Sequence, residues 1–329
     1  MAEISWNDSD PIEQTLFLKS RIRGSLRAWA AEALRDTGHR PAAHHLYLIS
    51  ALEGLSRGDY DRLMILMPPG SAKSTYASVI FPAWWFCQHS HSSVIGASHS
   101  LSLAEHFSRR IRSLILAKQQ YLGFTITRDQ RAVDTWTTNN GGEYLAVGVR
   151  GAVTGRRADL VIIDDPVKSQ ADAESRRQRD HIWDWYKSDV TTRLKPGGRV
   201  VLIMTRWHPD DLGGQLLEQT AAEWRVVRLP ALAETSDPLG RAVGTPLWPA
   251  WENHDALARK RGLIGERAWS ALFQQNPLPS GGRLFSVDRI TVNDAGRDEQ
   301  TVVRTWDLAA NRRYWTQRSR LDGRCQAIA

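Results

Sequence analysis

Short apolar runs alternate with longer amphipathic stretches along the chain, and this order predicts parallel strands joined by helices. Three of the runs, at residues 63–67, 160–163 and 199–204, are followed at once by turn-forming, polar or charged residues. Because the carboxyl ends of parallel strands lie at the same edge of a sheet, these clusters should converge on one crevice. The pattern therefore predicts an α/β fold with a mostly parallel, doubly wound sheet.

The spacing of apolar residues predicts helices over 16–37 and 44–56, ahead of the first strand. A helix that starts at Lys73 should end or kink near Pro82, because proline lacks the backbone N–H that a helix uses. Residues 124–149 contain short β-type pieces around an Asn-Asn-Gly-Gly turn. They predict a β insertion, a hairpin or meander, at the edge of the sheet.

The pattern loosens after residue 231. A helix is expected near 255–275, and 276–282 has the composition of a linker. A further strand, 301–308, ends in a carboxylate, whereas 311–329 shows no periodicity. This predicts a lone strand whose sheet partners are absent.

A phosphate-binding loop is the first candidate for chemistry. The strand at 63–67 breaks at Pro-Pro-Gly and is followed by Lys73 and Ser74 at a helix start. The backbone N–H groups of a helix N-terminus can bind phosphate, a lysine can reach the terminal phosphates, and a hydroxyl can ligate Mg²⁺.

The match to the usual phosphate-loop sequence is imperfect. Met67 and Ala72 stand where two glycines are usual, so Gly70 alone is left to adopt unusual backbone angles. This stretch by itself is equally compatible with a Pro/Gly turn that ends a core strand and leaves Lys73 exposed.

The second candidate is the pair Asp164 and Asp165, directly after the buried run at 160–163. Two carboxylates at the end of a buried strand are costly unless a cation is bound there. In nucleotide-hydrolysing folds the first acid holds Mg²⁺ and the second orients the attacking water. A solvated Asp-Asp turn is the alternative, and it becomes less attractive because a phosphate loop precedes this strand.

Composition sets wider limits. The chain has 329 residues, of which 42% are apolar and 24% charged, as in soluble globular proteins. The net charge of +7 permits a nucleic-acid partner. Most of the basic residues are arginines, and a GC-rich genome explains this excess of arginine over lysine equally well. No apolar run is long enough to span a membrane, and the N-terminus is unlike a signal peptide.

Two cysteines form neither a disulfide framework nor a metal set, so a cytosolic protein is expected. His44 and His45 are expected to be packed or solvated, because no further ligand stands at metal-binding spacing.

Five stretches together resemble the large terminase subunit of tailed bacteriophages and prophages. They are MPPGSAKSTYASVIFPAW, DLVIIDDPVK, LIMTRWHPDDLGG, the linker FQQNPLPSGG with RLF after it, and TWDLA. The resemblance covers about residues 40–310. It implies a P-loop ATPase that drives viral double-stranded DNA into a procapsid, followed by the start of an RNase H-like nuclease domain that uses two metal ions.

The resemblance also implies roles for individual residues. The ATP-binding residues would be Pro69, Gly70, Ser71, Ala72, Lys73, Ser74 and Thr75. Ser74 and Asp164 would hold the Mg²⁺ of ATP, and Asp307 would be the first metal-binding acid of the nuclease. Asp165, Arg156 and Thr205 are the catalytic candidates. Asp165 is one methylene shorter than the glutamate more usual at its position. Arg156 as an arginine finger competes with a contact to DNA phosphate and with a plain surface arginine.

The expected domains are an N-terminal helical segment at 1–58, an ATPase domain at 59–231, a small subdomain and linker at 232–283, and a truncated nuclease start at 284–329. The expected partners are double-stranded DNA, the portal protein, the small terminase subunit and further copies of the chain in a ring, in the cytoplasm of the bacterial host, without a membrane.

The end of the chain departs from the family. After Ala310 the resemblance implies further metal-binding acids, but Asp322 is the only acidic residue in the basic tail. We therefore expect a motor subunit without nuclease activity, because one carboxylate cannot hold two metal ions. Two alternatives remain open: a helicase-like translocase, and an inactive prophage remnant that binds nucleotide or DNA without turnover.

Overall fold

The structure is a computed structural model that describes residues 10–149, 151, 155–278, 305–306, 317–321 and 324–328. The chain divides into two compact units, Met1–Ser280 and Gly281–Ala329. Each unit is described by itself.

The first unit is built on a sheet that has eight strands within the described residues. In chain order they are β1 Arg62–Leu66, β2 Ser93–Ser98, β3 Ile126–Arg131, β4 Thr135–Thr138, β5 Glu143–Gly148, β6 Ala158–Asp164, β7 Leu194–Met204 and β8 Arg225–Arg228. Their spatial order is β3-β4-β5-β2-β6-β7-β1-β8. In this order, each strand from β5 onwards is parallel to the next one, as far as β8 at the edge. Antiparallel β3 and β4 form the edge meander, which confirms the predicted insertion.

Helices cover both faces of this sheet. They are α1 Pro11–Gly24, α2 Leu26–Leu34, α3 Ala43–Arg57, α4 Phe81–Gln88, α5 Leu101–Leu122, α6 Gln170–Glu174, α7 Arg176–Trp185, α8 Thr191–Arg193, α9 Leu212–Thr220 and α10 His254–Ala268. Three π-helical turns adjoin them at Thr75–Ile80, Tyr186–Val190 and Trp269–Phe273, and 3₁₀ turns lie at Arg35–Thr37 and Ala221–Glu223.

The central strands are apolar throughout because side chains on both of their faces are buried. In β1, Leu63 and Ile65 belong to one buried cluster, and Met64 and Leu66 belong to the other. The first cluster also contains side chains of α1 to α5, and the second contains side chains of α7 and α9. The N-terminal helices therefore share a core with the sheet, and the doubly wound α/β architecture is confirmed.

The helix after the phosphate loop does not end at Pro82, which was one of the two expected outcomes, but it changes its geometry just before this residue. It runs as a π-helical turn over Thr75–Ile80 and continues as α4 to Gln88. Pro82 falls in the first turn of α4, where its missing N–H removes no bond of the α-helix. The sequence pattern did not reveal the change from π to α geometry that makes this possible.

The second unit contains a three-stranded antiparallel sheet among its described residues. Its strands are β9 Thr305–Trp306, β10 Gln317–Leu321 and β11 Arg324–Ile328, with β10 in the middle. The expectation of a lone strand is therefore wrong. Paired Leu321 and Arg324 are separated by Asp-Gly, a dipeptide that favours tight hairpins and that gave a sequence signal for this pairing.

Within the described residues, no helix is both long and apolar enough to cross a lipid bilayer.

Candidate nucleotide site at the ends of the parallel strands

The loop after β1 has the backbone shape of an anion-binding loop. Gly70 and Ala72 both have positive φ, 78° and 59°, and the Ser71 hydroxyl donates to the Pro68 carbonyl at 2.8 Å. The chain becomes helical at Lys73. Because the first N–H groups of a helix have no partner within the helix, they are available to an anion in this loop.

Lys73 reaches the ends of two other strands. Its ammonium group donates to the Thr205 hydroxyl at 2.9 Å and lies 3.8 Å from the nearer Asp165 carboxylate oxygen. The backbone N–H of Thr205 donates to the other Asp165 oxygen at 3.0 Å. Lys73 is only 6% exposed, so the alternative of a merely exposed lysine is wrong.

Asp164 lies beneath the loop and is bound by two hydroxyls. Ser74 donates to one carboxylate oxygen at 3.1 Å, and Ser78 donates to the other. A hydroxyl beside a carboxylate is the ligand pair that a phosphate-bound Mg²⁺ requires from the protein. Across the described residues, no group of three or more His, Cys, Asp or Glu side chains could hold a metal ion alone. The pair formed by Ser74 and Asp164 therefore fits a cation that also binds phosphate oxygens.

The Asp164 carboxylate is difficult to ionise in its surroundings. Burial, followed by the negative charge of Asp165, raises the pKa of Asp164 to about 7. The hydroxyls and Lys73 oppose this rise without cancelling it. A carboxylate that is fully buried and difficult to ionise is the group that a bound cation would stabilise most.

Asp165 is directed by a strained backbone. It has a φ of 44°, in the left-handed region that aspartate adopts only occasionally. The strand β6 ends here, and the turn brings the carboxylate to Thr205 and Lys73 instead of letting it continue along the strand. Asp165 remains about one-third exposed, so it faces the open part of the site.

The Thr205 loop is held by a buried ion pair. Arg206 donates through Nε to both oxygens of Asp211, at 2.8 and 3.0 Å, and Asp211 caps the start of α9. The backbone N–H of Arg206 donates to Gln275 Oε1 at 3.0 Å. The loop that contacts Lys73 is thereby tied to the segment that follows α10.

Two residues of the site were not found from the sequence. The Ala42 N–H donates to His45 Nδ1 at 3.0 Å, so His45 Nε2 carries the proton and donates to the Ser71 carbonyl at 3.1 Å. Burial lowers the pKa of His45 to about 4, which keeps the ring neutral. Arg110 of α5 donates to the Thr75 hydroxyl at 3.3 Å. Both contacts join elements far apart in sequence, and no local pattern indicates them.

The site opens into a cavity of about 710 Å³. All seven predicted ATP-binding residues, from Pro69 to Thr75, line this cavity, as do Asp165 and Thr205. Arg156 is exposed and is not among the described residues that line the cavity. Asp307 lies outside the described residues.

The structure resembles several solved large terminases in outline. The large terminase of a thermophilic bacteriophage, in complex with ATP-gamma-S, is 10% identical with a TM-score of 0.46, and the match covers 84% of this chain and 65% of that one. The HK97 bacteriophage large terminase is 14% identical with a TM-score of 0.47, and the match covers 83% of this chain and 60% of that one. The Thermus phage P74-26 large terminase ATPase domain is 14% identical with a TM-score of 0.45, and the match covers 73% of this chain and all of that one.

The chain thus spans less than two thirds of the length of the first two of these terminases. No curated protein matches the sequence. The family model for the N-terminal part of the large terminase subunit, T4likevirus type, matches residues 64–292. Because this match covers more than half of the chain, the chain belongs to the phage large terminase subunits.

Proposed function

We propose that this chain is the ATP-hydrolysing subunit of a motor that packages viral double-stranded DNA into a procapsid. One observation carries the proposal: Lys73, Asp164, Asp165 and Thr205, from three separate strand ends, meet around one phosphate-binding loop. A lysine, a hydroxyl and two carboxylates beside such a loop are the groups that bind and hydrolyse a nucleoside triphosphate with its Mg²⁺. The family assignment supplies the context of DNA packaging.

Each residue has a distinct role in this proposal. The N–H groups at the helix start and the Lys73 ammonium bind the phosphates of ATP. Ser74 and Asp164 would hold Mg²⁺, which would offset phosphate charge. Asp165 accepts a hydrogen bond from the attacking water and orients it. Thr205 contacts both Lys73 and Asp165, so it is placed to change its hydrogen bonds when the terminal phosphate leaves.

The test is ATP turnover by Lys73→Ala. We expect loss of Mg²⁺-dependent hydrolysis with an unchanged far-UV circular dichroism spectrum. The matched control is Lys187→Ala, which removes a half-exposed lysine outside the cavity and should keep wild-type turnover. Equal turnover in all three proteins would remove the phosphate loop from the reaction.

The same assay addresses the two alternatives. A wild-type protein that binds ATP but never hydrolyses it, with or without DNA and a small subunit, would be an inactive remnant. The family assignment favours a packaging motor over a helicase-like translocase.

The proposed partners are double-stranded DNA, the portal protein, the small terminase subunit and other copies of this chain in a ring. The net charge of +7 suits a DNA partner. The proposed place of action is the cytoplasm of the bacterial host.

Arg156 is proposed to complete the site of a neighbouring subunit. It is exposed, and it does not line the cavity of its own chain within the described part of the structure. An arginine supplied by a neighbour can stabilise the charge that develops during phosphoryl transfer. This is the role that the resemblance implies for it.

The absence of nuclease activity stays a prediction, as does the role of Asp307 in metal binding. Supercoiled plasmid incubated with the protein and Mg²⁺ or Mn²⁺ should remain intact. Nicking that disappears in Asp307→Ala would contradict the prediction.

A further inference from the structure

The cavity extends well beyond the phosphate loop. On one side it is lined by Leu34, Thr37, His39 and Arg40, between α2 and α3. On another side it is lined by Trp248 and Trp251, just before α10. Neither group has a role in phosphate binding as described above, so this part of the cavity has no assigned occupant.

Trp251 is an unusual surface residue. It is 62% exposed, although tryptophan is usually well buried. It lies against the phosphate loop: a Cβ atom built on Gly70 would be 3.5 Å from the Trp251 indole nitrogen. A large aromatic surface is thus exposed within the same cavity as the phosphate site.

The Trp251 ring is held in position by contacts with its neighbours. Trp251 stacks on Trp248, with ring centroids 5.5 Å apart and an angle of 24° between the rings. The rings of Trp248 and His45 pack nearly perpendicular to each other, with centroids 4.8 Å apart, and His45 is hydrogen-bonded to the loop at Ser71. The Trp251 N–H donates to the Trp248 carbonyl at 3.0 Å, which closes the turn that carries both rings.

The turn is also fixed at both of its ends. The Leu247 N–H donates to the Ala231 carbonyl at 2.8 Å, which ties the start of the turn to the chain just after β8. At the other end, Asn253 caps α10 by accepting from the Ala256 N–H at 2.9 Å. The exposed Trp251 ring is therefore held in position by its neighbours, stacks on Trp248 and contributes to the lining of the cavity.

We propose that Trp251 is the stacking platform for the purine base of the bound nucleotide. This inference rests on the proposed function and adds the residue that recognises the base. A purine is flat and aromatic, and burial against an indole ring removes apolar surface of both partners from water. The phosphates would then contact the loop at its N–H groups while the base covers the ring beside Gly70. Stacking of this kind tolerates any purine, because it uses the face of the base and not its edge.

The experiment compares two ligands by titration calorimetry in Mg²⁺: ATP, and inorganic tripolyphosphate, which has no base. The variants are Trp251→Leu, Trp251→Phe and, as a control, Leu263→Ala, which truncates an 85% exposed leucine outside the cavity lining. Because Trp251 is largely exposed, its replacement should not affect folding, which thermal unfolding would check. The expected loss of ATP affinity in Trp251→Leu is about tenfold, in line with base–aromatic stacking.

The same variant should bind tripolyphosphate as the wild type does, and Trp251→Phe should recover most of the ATP affinity. Unchanged ATP affinity in Trp251→Leu would overturn the proposal, and so would an equal loss for ATP and tripolyphosphate. If the wild type bound neither ligand, the proposed function itself would fail. If the wild type bound both while Trp251→Leu behaved identically, only the base platform would fail.

Discussion

Ala72 holds a left-handed backbone conformation at a position where phosphate loops usually contain glycine. A side chain in this region costs about 1 kcal/mol or more, because the Cβ atom crowds the backbone. The loop therefore has the required shape despite the missing glycine. Alanine in place of the usual glycine at residue 72 therefore strains the backbone but does not change the shape of the loop.

We expect Ala72→Gly to stabilise the protein by up to about 1 kcal/mol, since relief of strain outweighs the entropy that glycine adds to the unfolded chain. Ala72→Val should destabilise it, because a β-branched residue fits this conformation poorly. Chemical denaturation measures both changes. Equal stabilities of the two variants would mean that residue 72 is not strained.

The second prediction at the residue scale concerns Asp164. Its pKa is raised from 3.8 to about 7, so the folded protein binds a proton that the unfolded chain releases. Stability from this group is therefore present at low pH and is lost as the pH rises from about 4 through about 7. Asp164→Asn, which cannot ionise, should raise the melting temperature of the nucleotide-free protein at pH 8 while abolishing Mg²⁺-dependent hydrolysis.

The gain in melting temperature should shrink as the pH is lowered towards 5, where Asp164 of the wild type is protonated. It should also shrink with Mg²⁺ and a non-hydrolysable ATP analogue, because the cation stabilises the ionised wild-type carboxylate. A gain that is independent of pH would mean that ionisation of Asp164 is not its cause.

At the scale of elements, the Thr205 loop and the chain after α10 are joined at Gln275. This residue is 2% exposed, has a φ of 55°, and accepts the N–H of Arg206. The adjacent Gln274 bonds in both directions to the backbone of Leu232, at 3.0 and 3.1 Å. The two glutamines therefore connect the nucleotide site to the segment that follows β8.

We expect Gln275→Leu to lower the free energy of unfolding by about 1–3 kcal/mol, because it leaves a buried N–H without a partner. Turnover of ATP should fall more than ATP affinity, since the change affects the Thr205 loop and not the phosphate loop. Gln215→Leu, on the more exposed α9, serves as a control and should change neither value substantially. An equal loss of turnover in both variants would contradict the role of Gln275.

The elements were predictable from the sequence wherever a local pattern determined them. The apolar runs identified β1, β6 and β7, and the rule for strand ends in parallel sheets brought Lys73, Asp164 and Thr205 together correctly. The long-range contacts of His45, Arg110, Trp251 and Gln275 could not be predicted in this way, because each depends on which elements become neighbours. The hairpin of β10 and β11 was missed although an Asp-Gly pair was present.

At the scale of the whole molecule, the proposed reaction uses an arginine from a second copy of the chain. Lys73 and Asp165 lie close together in one chain and Asp164 contacts Ser74 of the same loop, whereas Arg156 lies outside the described cavity lining of its own chain. A motor subunit of this kind should hydrolyse ATP slowly when monomeric. Turnover per subunit should increase with protein concentration as neighbours assemble.

The central claim is that ATP is hydrolysed at the Lys73 site with an arginine from a neighbouring subunit. The most direct measurement is the ATP turnover of Lys73→Ala mixed with Arg156→Ala, since each variant retains the half of the site that the other lacks. The account predicts that each variant alone is nearly inactive and that the mixture is several-fold more active than the sum of both. Exchanging Arg156→Ala for Arg157→Ala provides the control, because Arg157→Ala should be active by itself. A mixture no more active than its components, or full activity of Arg156→Ala alone, would contradict the account.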